Sequence, residues 1–307
     1  MRSRSILVSG ATGFIGGHLV RRFIERGDQV IVLTRQASKA LDRFGPHVRI
    51  VTSLQQIEPG EDIDAIVNLA GASILGFPWT RRRRALLIGS RVETTRALVA
   101  LAGRLTHPPR VLVSASAIGY YGVRGDERLD EQDRPTEIFQ SRLCQEWEAA
   151  AEAAQSLGVR VVRLRIGLVL GRDGGSLPQL VRPHRWGLGA VLGSGRQWMS
   201  WIHLNDLIRL FEFVLDTPTV QGAVNAVSPS PLTHQQMQRA IADVLHRPLW
   251  LRVPAVVLRA GLGEMAQLLV DGQRVVPNRA RALGFEFRYA EAHEALADLL
   301  TVRRERS

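Results

Sequence analysis

Three glycines near the start of the chain have the spacing of a phosphate-binding turn. Gly10, Gly13 and Gly16 follow the apolar run SILVS and lead into HLVRRFIERG, in which apolar residues recur at helical spacing. Glycine permits a tight turn and a close approach of the backbone to a pyrophosphate, whose charge is favoured by the N–H groups at a helix start. The turn predicts a dinucleotide site; glycines that serve only a tight turn are the alternative. Further contacts are expected from Thr12, Phe14 and Ile15.

The end of the second predicted strand, QVIVLTR, indicates which dinucleotide binds. About 20 residues past such a turn, an acid would bind a ribose 2′-hydroxyl, whereas a basic residue would bind a 2′-phosphate. The chain has Thr34 and Arg35 at this place, and no acid between Asp28 and Asp42. Because a guanidinium pairs well with phosphate, the sequence predicts NADP(H) rather than NAD(H). The alternative for Arg35 is an ordinary exposed arginine.

Small and polar residues end the later predicted strands. Since parallel strands present their carboxyl ends at one edge, these residues should meet in one crevice. Ser116, at the end of the fifth strand, is a candidate to polarise a substrate carbonyl, with hydrogen bonding at the strand end as the alternative. The other cofactor contacts expected here are Leu69, Ala70, Gly71, Ser114, Arg165, Gly167, Leu168 and Val169.

Strands and helices alternate through the first part of the chain. Strands are predicted at SILVS, QVIVLTR, HVRIVTS, DAIVNLAG, RVLVSAS and VRVVRLRIGLVLG, and long helices at 80–105 and 139–157. Nearly continuous apolar runs are typical of parallel strands covered by helices on both faces. We therefore expect a Rossmann-type, doubly wound α/β domain over residues 1–171.

A smaller region is expected over residues 172–307, interleaved with the first because some of its segments return to it. Its helical patterns lie near 206–215, 233–245 and 289–300, after the loop RWGLGAVLGSGRQWMSWIH. Arg196 from this loop could bind an anionic substrate group, and Trp198 could stack on a flat one. His203 is a further substrate candidate. Core packing of the tryptophans, and a helix cap at His203, are the alternatives.

Composition and charge limit the partners. A net charge of +11 raises the possibility of nucleic-acid binding, but Lys39 is the one lysine among 40 basic residues, which indicates a general preference for arginine. The run Arg81–Arg84 opens a helical segment, and a solvated helix face is favoured over an anion patch. The apolar side predicted for that segment consists of Leu86, Leu87, Val92, Leu98 and Leu101.

The remaining composition favours a cytoplasmic protein. A single cysteine, Cys144, can form neither an internal disulfide nor a cysteine-based zinc site, and no apolar run approaches the roughly 18 residues of a membrane span. We expect a monomer or homodimer that acts on a small molecule, with no metal, nucleic-acid or membrane partner.

The motifs GATGFIG, NLAGAS, SASAIGYYG and RIGLVLG resemble, in this order, the extended short-chain dehydrogenase/reductase superfamily, which includes the NAD-dependent epimerases and dehydratases. SRVETTR, LCQEWE, GSGRQWMSWIH and GQRVVP resemble one atypical branch, the epimerase-family proteins with a small C-terminal domain of unknown function. The resemblance covers essentially the whole chain and implies that this domain lies at about 248–300. It also implies hydride transfer through a bound nicotinamide cofactor.

The superfamily's mechanism implies a serine, a tyrosine and a lysine, with tyrosine and lysine four residues apart on the helix after the fifth strand. If Glu148 matches the family's glutamate, Gln140 and Cys144 stand at those two positions, and no tyrosine in the chain precedes a lysine by four residues. Ser116 matches the serine. Tyr120 or Tyr121 could supply the proton instead, with packing over the cofactor as the alternative.

The resemblance further implies that Arg91, where the superfamily usually has asparagine, contacts the cofactor or a loop. The sequence therefore predicts an NADP(H)-dependent oxidoreductase with an unconventional proton donor. A non-catalytic, NADP(H)-binding, redox-responsive regulator is the alternative, which the missing tyrosine and lysine favour.

Overall fold

A computed structural model describes residues 3–74 and 80–301 of the chain. The strands are β1 (Ser5–Ser9), β2 (Gln29–Leu33), β3 (Val48–Val51), β4 (Ala65–Asn68), β5 (Val111–Ala117), β6 (Arg128–Leu129), β7 (Arg160–Ile166), β8 (Leu168–Gly171), β9 (Gly174–Gly175), β10 (Ala190–Leu192), β11 (Trp198–Met199), β12 (Trp201–His203), β13 (Gly222–Ala226), β14 (Leu232–Thr233), β15 (Leu251–Val253) and β16 (Arg274–Val275). The helices are α1 (Phe14–Glu25), α2 (Ala37–Phe44), α3 (Arg81–Arg104), α4 (Phe139–Glu152), α5 (Leu177–Arg185), α6 (Leu204–Asp216), α7 (His234–Leu245), α8 (Ala255–Leu262), α9 (Gln267–Val270), α10 (Asn278–Ala282) and α11 (Ala292–Leu300).

Seven parallel strands form the central sheet, in the order β13-β7-β5-β4-β1-β2-β3. Side chains alternate between its faces, so Ile6 and Val8 enter one core with α1 while Leu7 enters the other with α3. Both faces are apolar because helices cover both, which is why the strands read as continuous apolar runs. The predicted Rossmann-type fold is confirmed.

The sixth predicted strand is in fact two strands. β7 belongs to the central sheet, whereas β8 pairs with β12 in a separate three-stranded sheet. Gly167 lies between them, and a Cβ at this position would overlap the carbonyl oxygen of Ser200. The apolar pattern runs through this break, because a residue without a side chain lets the chain change sheets where another backbone comes close.

The segment after Gly171 contributes to both parts of the molecule. β13 completes the central sheet beside β7, and α6 packs on the same core as α1. A separate core lies between α5, α7 and α11, around the fully buried Trp201. Among the described helices, none is long and apolar enough to cross a membrane.

Helix α3 begins within one residue of its predicted start, after Thr80, whose hydroxyl accepts a hydrogen bond from the backbone of Arg83. Four of the five leucine and valine residues predicted on its apolar side are buried. Leu86 is the exception, with 47% of its surface exposed. It precedes the buried Leu87 by one residue, and about 100° of rotation turns it away from the core.

Candidate functional site

The glycine turn joins β1 to α1 at the carboxyl edge of the central sheet. Gly10 has φ +71°, and a Cβ on it would overlap the carbonyl oxygen of Leu69; one on Gly16 would overlap that of Gly10. Helix α1 starts after Gly13 without a side-chain cap and without an acidic residue in its first turn. Its first N–H groups and its positive dipole end are therefore left for an anion, in a cradle that side chains would fill. The residues present fit a dinucleotide diphosphate.

Arg43 is a basic residue beside this turn that the sequence motifs do not indicate. Its Nη1 donates to the carbonyl oxygens of Thr12 and Gly13, at 3.0 and 3.1 Å, and its guanidinium covers the position that a Cβ on Gly17 would occupy. Burial, and next the positive charge of Arg21, lower the pKa of Arg43. The turn thus has a positive charge at its side as well as at the helix start.

Thr34 and Arg35 lie where the sequence predicts them. β1 and β2 pair with Ser9 opposite Leu33, so the residue after β2 is beside Gly10. The hydroxyl of Thr34 accepts a hydrogen bond from the backbone of Gln36, at 3.1 Å, which fixes the start of α2, and Arg35 is exposed. Arg35 is therefore available to a ligand on the glycine turn.

Strand ends β1, β4 and β5 are joined by a buried hydrogen-bond network. Asn68 accepts from the hydroxyl of Ser9 at 2.6 Å and donates to those of Thr95 and Ser114 at 2.7 and 3.4 Å. Ser114 is inside this network, so its hydroxyl serves the strand ends. Of the next residues, Leu69 and Ala70 are half-buried and Gly71 is exposed.

Ser116 is held by a buried carboxylate. Its hydroxyl donates to Glu148 Oε1 at 2.7 Å, and Arg165 makes a two-pronged pair with the same carboxylate, both bonds 2.9 Å long. Only 3% of the surface of each of these residues is exposed. Burial opposes the charge of Arg165, but hydrogen bonding to Glu148 outweighs it and raises the pKa of Arg165. Arg165 lies at the predicted edge with its guanidinium engaged by protein groups.

The two tyrosines after β5 differ in exposure. Tyr121 is fully buried; it donates to Asn225 Oδ1 at 2.7 Å and accepts from Arg165 at 3.0 Å, and burial raises its pKa. Tyr120 is half-buried, and the guanidinium carbon of Arg165 lies 3.4 Å from the centre of its ring. Tyr120 is therefore the phenol of this turn that a ligand can approach.

The same turn covers the helix positions at which the resemblance places tyrosine and lysine. Ile118–Tyr121 form a 3-10 turn against α4, and a Cβ on Gly119 would lie 3.5 Å from Gln140 Cβ and 3.9 Å from Cys144 Sγ. Gln140 and Cys144 are both buried. Burial raises the pKa of Cys144 to about 12, so the thiol stays protonated at neutral pH and is not a nucleophile.

The candidates from the second region are dispersed over different surroundings. Arg196 is exposed, whereas the indole of Trp198 donates to Asp126 at 2.7 Å and lies under Arg274. His203 is buried and accepts a hydrogen bond from the backbone of Asn205 at 3.0 Å. It therefore caps α6, which is the alternative to substrate binding given for it above.

Gly167, Leu168 and Val169 form the passage from β7 to β8, and Val169 is buried opposite Ile202. Phe14 packs against the β8–β9 hairpin, where a Cβ on Gly174 would overlap its ring. The start of α1 is thereby tied to the second region.

In the part of the chain that the structure describes, no group of three or more His, Cys, Asp or Glu side chains could hold a metal.

Known proteins match this chain over both regions. A family model described as the NAD dependent epimerase/dehydratase family matches residues 6–226, and one described as a domain of unknown function (DUF1731) matches residues 253–299. The Arabidopsis thaliana protein named "Epimerase family protein SDR39U1 homolog, chloroplastic" is 38% identical over 302 residues, which is 96% of this chain and 86% of that protein. The Bacillus subtilis epimerase family protein YfhF is 34% identical, over 98% of this chain and 99% of its own length.

A solved structure is similar over the whole fold. The crystal structure of human epimerase family protein SDR39U1 (isoform 2) with NADPH matches with a TM-score of 0.85 and 32% identity, and the match covers 96% of this chain and 98% of that one.

Proposed function

Since the chain belongs to the NAD-dependent epimerase/dehydratase family, we propose that it binds NADP(H) and catalyses hydride transfer on a small substrate. The observation that carries this proposal is the glycine turn with an uncapped helix start and Arg35 beside it. The NADPH in the structure of the human relative supports the choice of cofactor.

The chain's own residues would hold the diphosphate and the 2′-phosphate of the cofactor differently. The start of α1 binds the diphosphate through backbone N–H groups, and Arg35 binds the 2′-phosphate as a charged donor. Arg43 adds positive charge next to the turn. When bound, the cofactor supplies the carbon that gives or takes the hydride.

Proton transfer is assigned to Tyr120. Reduction of a carbonyl requires a proton on its oxygen, and Tyr120, which is half-buried, carries a phenol on the turn that follows β5. The Ser116 hydroxyl already donates its hydrogen bond to Glu148, so it would orient the substrate by accepting a hydrogen bond. Arg196, which is exposed, would bind an anionic group on the substrate.

The cofactor assignment is tested by titrating the protein with NADPH and with NADH. The wild type should prefer NADPH, and Arg35→Ala should weaken NADPH binding by about 10- to 100-fold, as expected for a lost charge-assisted contact, while NADH binding changes little. Arg110→Ala is the matched control, because Arg110 precedes β5 at the opposite edge of the sheet with 80% of its side chain exposed. Equal or tighter binding of NADH by the wild type would refute the assignment.

A second function, that of an NADP(H)-binding regulator without turnover, is favoured by the bond from Ser116 to Glu148. A spectrophotometric screen of carbonyl compounds with NADPH separates the two functions. Turnover that Tyr120→Phe removes supports the enzyme. Tight NADPH binding, together with no NADPH oxidation across a broad screen, supports the regulator.

A further inference from the structure

Arg91, on α3, is a half-buried cation without a carboxylate partner in the described part of the chain. Its Nη1 donates to the carbonyl oxygen of Leu87 at 3.1 Å, and its Nη2 to that of Ala72 at 3.0 Å. The guanidinium carbon lies 5.2 Å from the centre of the Trp147 ring. The titratable groups that influence Arg91 are Cys144, whose thiol is protonated, and Arg83, which is another cation.

Such a charge is unfavourable in the protein alone. Burying a cation is costly unless a negative group neutralises it, and two carbonyl oxygens do so only in part. Burial lowers the pKa of Arg91, which is a sign of the same penalty. Its two hydrogen bonds use two of the five N–H donors that a guanidinium carries. Arg91 therefore has both the charge and the donors to bind an acceptor that comes from outside.

The position of Arg91 indicates which acceptor this is. On one side it lies against the loop after β4, where a Cβ on Gly71 would be 3.1 Å from its guanidinium carbon. On the other side it neighbours Cys144, which in turn contacts the hydroxyl of Ser116. Arg91 thus lies between the loop that borders the glycine turn and the residue proposed to orient the substrate. An anionic ligand that extends from the turn toward Ser116 would come near this charge.

We propose that Arg91 binds the segment of NADP(H) beyond the adenosine, which consists of the anionic diphosphate and the ribose that carries the nicotinamide. The proposal rests on the proposed function, and it makes Arg91 a binding and positioning residue. In this role α3 supplies a fixed positive charge next to the nicotinamide, at a site where α4 carries the uncharged Cys144.

Three ligands that share one end separate this role from a structural one. They are 2′-AMP, which lacks the segment in question, 2′-phospho-ADP-ribose, which contains it, and NADPH. Dissociation constants are measured for the wild type, Arg91→Gln, Arg91→Lys and Arg96→Gln, the last being an exposed arginine on the same helix. Arg91→Gln should bind NADPH and 2′-phospho-ADP-ribose about 10- to 100-fold more weakly and 2′-AMP unchanged. Arg91→Lys should lose less affinity for these two ligands, and Arg96→Gln should bind all three like the wild type.

The outcomes are distinguishable. If Arg91→Gln binds all three ligands like the wild type, or binds all three equally weakly and also unfolds at a lower temperature, Arg91 has no contact with the segment and the inference is wrong while NADP(H) binding stands. If Arg91→Gln does not fold, Arg91→Lys takes its place. Lysine keeps the positive charge with fewer N–H donors, so it should show the same selectivity between ligands with a smaller loss of affinity. A wild type that binds none of the ligands refutes the proposed function and the inference with it.

Discussion

Removing the charge of Glu148 should strongly destabilise the fold. Its carboxylate accepts hydrogen bonds from Ser116, from Arg163 and, twice, from Arg165. These residues come from α4, β5 and β7, so a single side chain ties the helix to two neighbouring strands of the central sheet. Glu148→Gln keeps the size and shape of the side chain but leaves Arg165 without its counter-charge.

The structure sets the expected magnitude. Removing one partner of a buried ion pair costs about 3–5 kcal/mol of unfolding free energy, because the other charge stays buried and unpaired. Arg165, which is 3% exposed, bears this penalty in full, whereas Arg163 keeps Glu152 as a second partner and lies closer to solvent. We therefore expect a loss near the lower end, about 3 kcal/mol, which for a chain of this size lowers the melting temperature by about 5 °C.

Urea and thermal denaturation measure this loss, with Glu137→Gln as the control. Glu137 has 87% of its side chain exposed and pairs with Arg142 at the surface, so its substitution should change the unfolding free energy by less than about 1 kcal/mol. Adding Arg165→Met to Glu148→Gln should recover part of the loss, since it removes the unpaired charge. A loss for Glu148→Gln no larger than that for the control would show that the buried pair does not hold this site.

Two further predictions concern the turn and a buried histidine. Gly10→Ala should weaken NADPH binding at least tenfold and lower the unfolding free energy more than Gly27→Ala does; both glycines have positive φ, costing roughly 1–2 kcal/mol for alanine, but only at Gly10 would the new Cβ overlap backbone. Equal losses in both variants would contradict this. Burial, and next the charge of His184, lower the pKa of His234 to about 4, below its ordinary 6.5. The unfolded chain therefore takes up this proton first, so up to about 3 kcal/mol of stability present above pH 6.5 is lost as the pH falls to 4. Urea midpoints of His234→Gln between pH 7 and 4 should vary less than those of the wild type, and parallel curves would refute the assignment.

Features set by local pattern could be predicted from the sequence, whereas those set by distant contacts could not. The glycine turn, and the position of Arg35 at the end of β2, follow from short-range spacing. β13 did not register as a strand, because GAVNA is short and weakly apolar and its pairing with β7 joins residues about 60 apart in the chain. Arg43 beside the turn was not predicted for the same reason, since its contact depends on how α2 packs.

The roles of the candidate catalytic residues were the least predictable feature, since one side chain can donate or accept a hydrogen bond depending on its surroundings. Ser116 matches a position whose hydroxyl is expected to donate to the substrate. In the structure this hydroxyl donates its hydrogen bond to the carboxylate of Glu148 instead. That bond depends on how α4 packs on β5 and cannot be read from the sequence. A motif identifies the residue, but only its hydrogen-bond partner shows the direction in which it donates.

This direction leads to a test within the proposed enzyme. A carboxylate accepts and cannot donate, so the Ser116 hydroxyl, 2.7 Å from Glu148, offers a ligand only its lone pairs. Proton donation then falls to Tyr120, whose ring is fixed against the same Arg165 that pairs with Glu148. If turnover is found, Tyr120→Phe should remove nearly all of it, whereas Ser116→Ala should retain more activity than Tyr120→Phe, because it removes an orienting acceptor and not the proton source. The opposite ranking would mean that the Ser116 hydroxyl turns away from Glu148 when substrate binds, and would make Ser116 the donor.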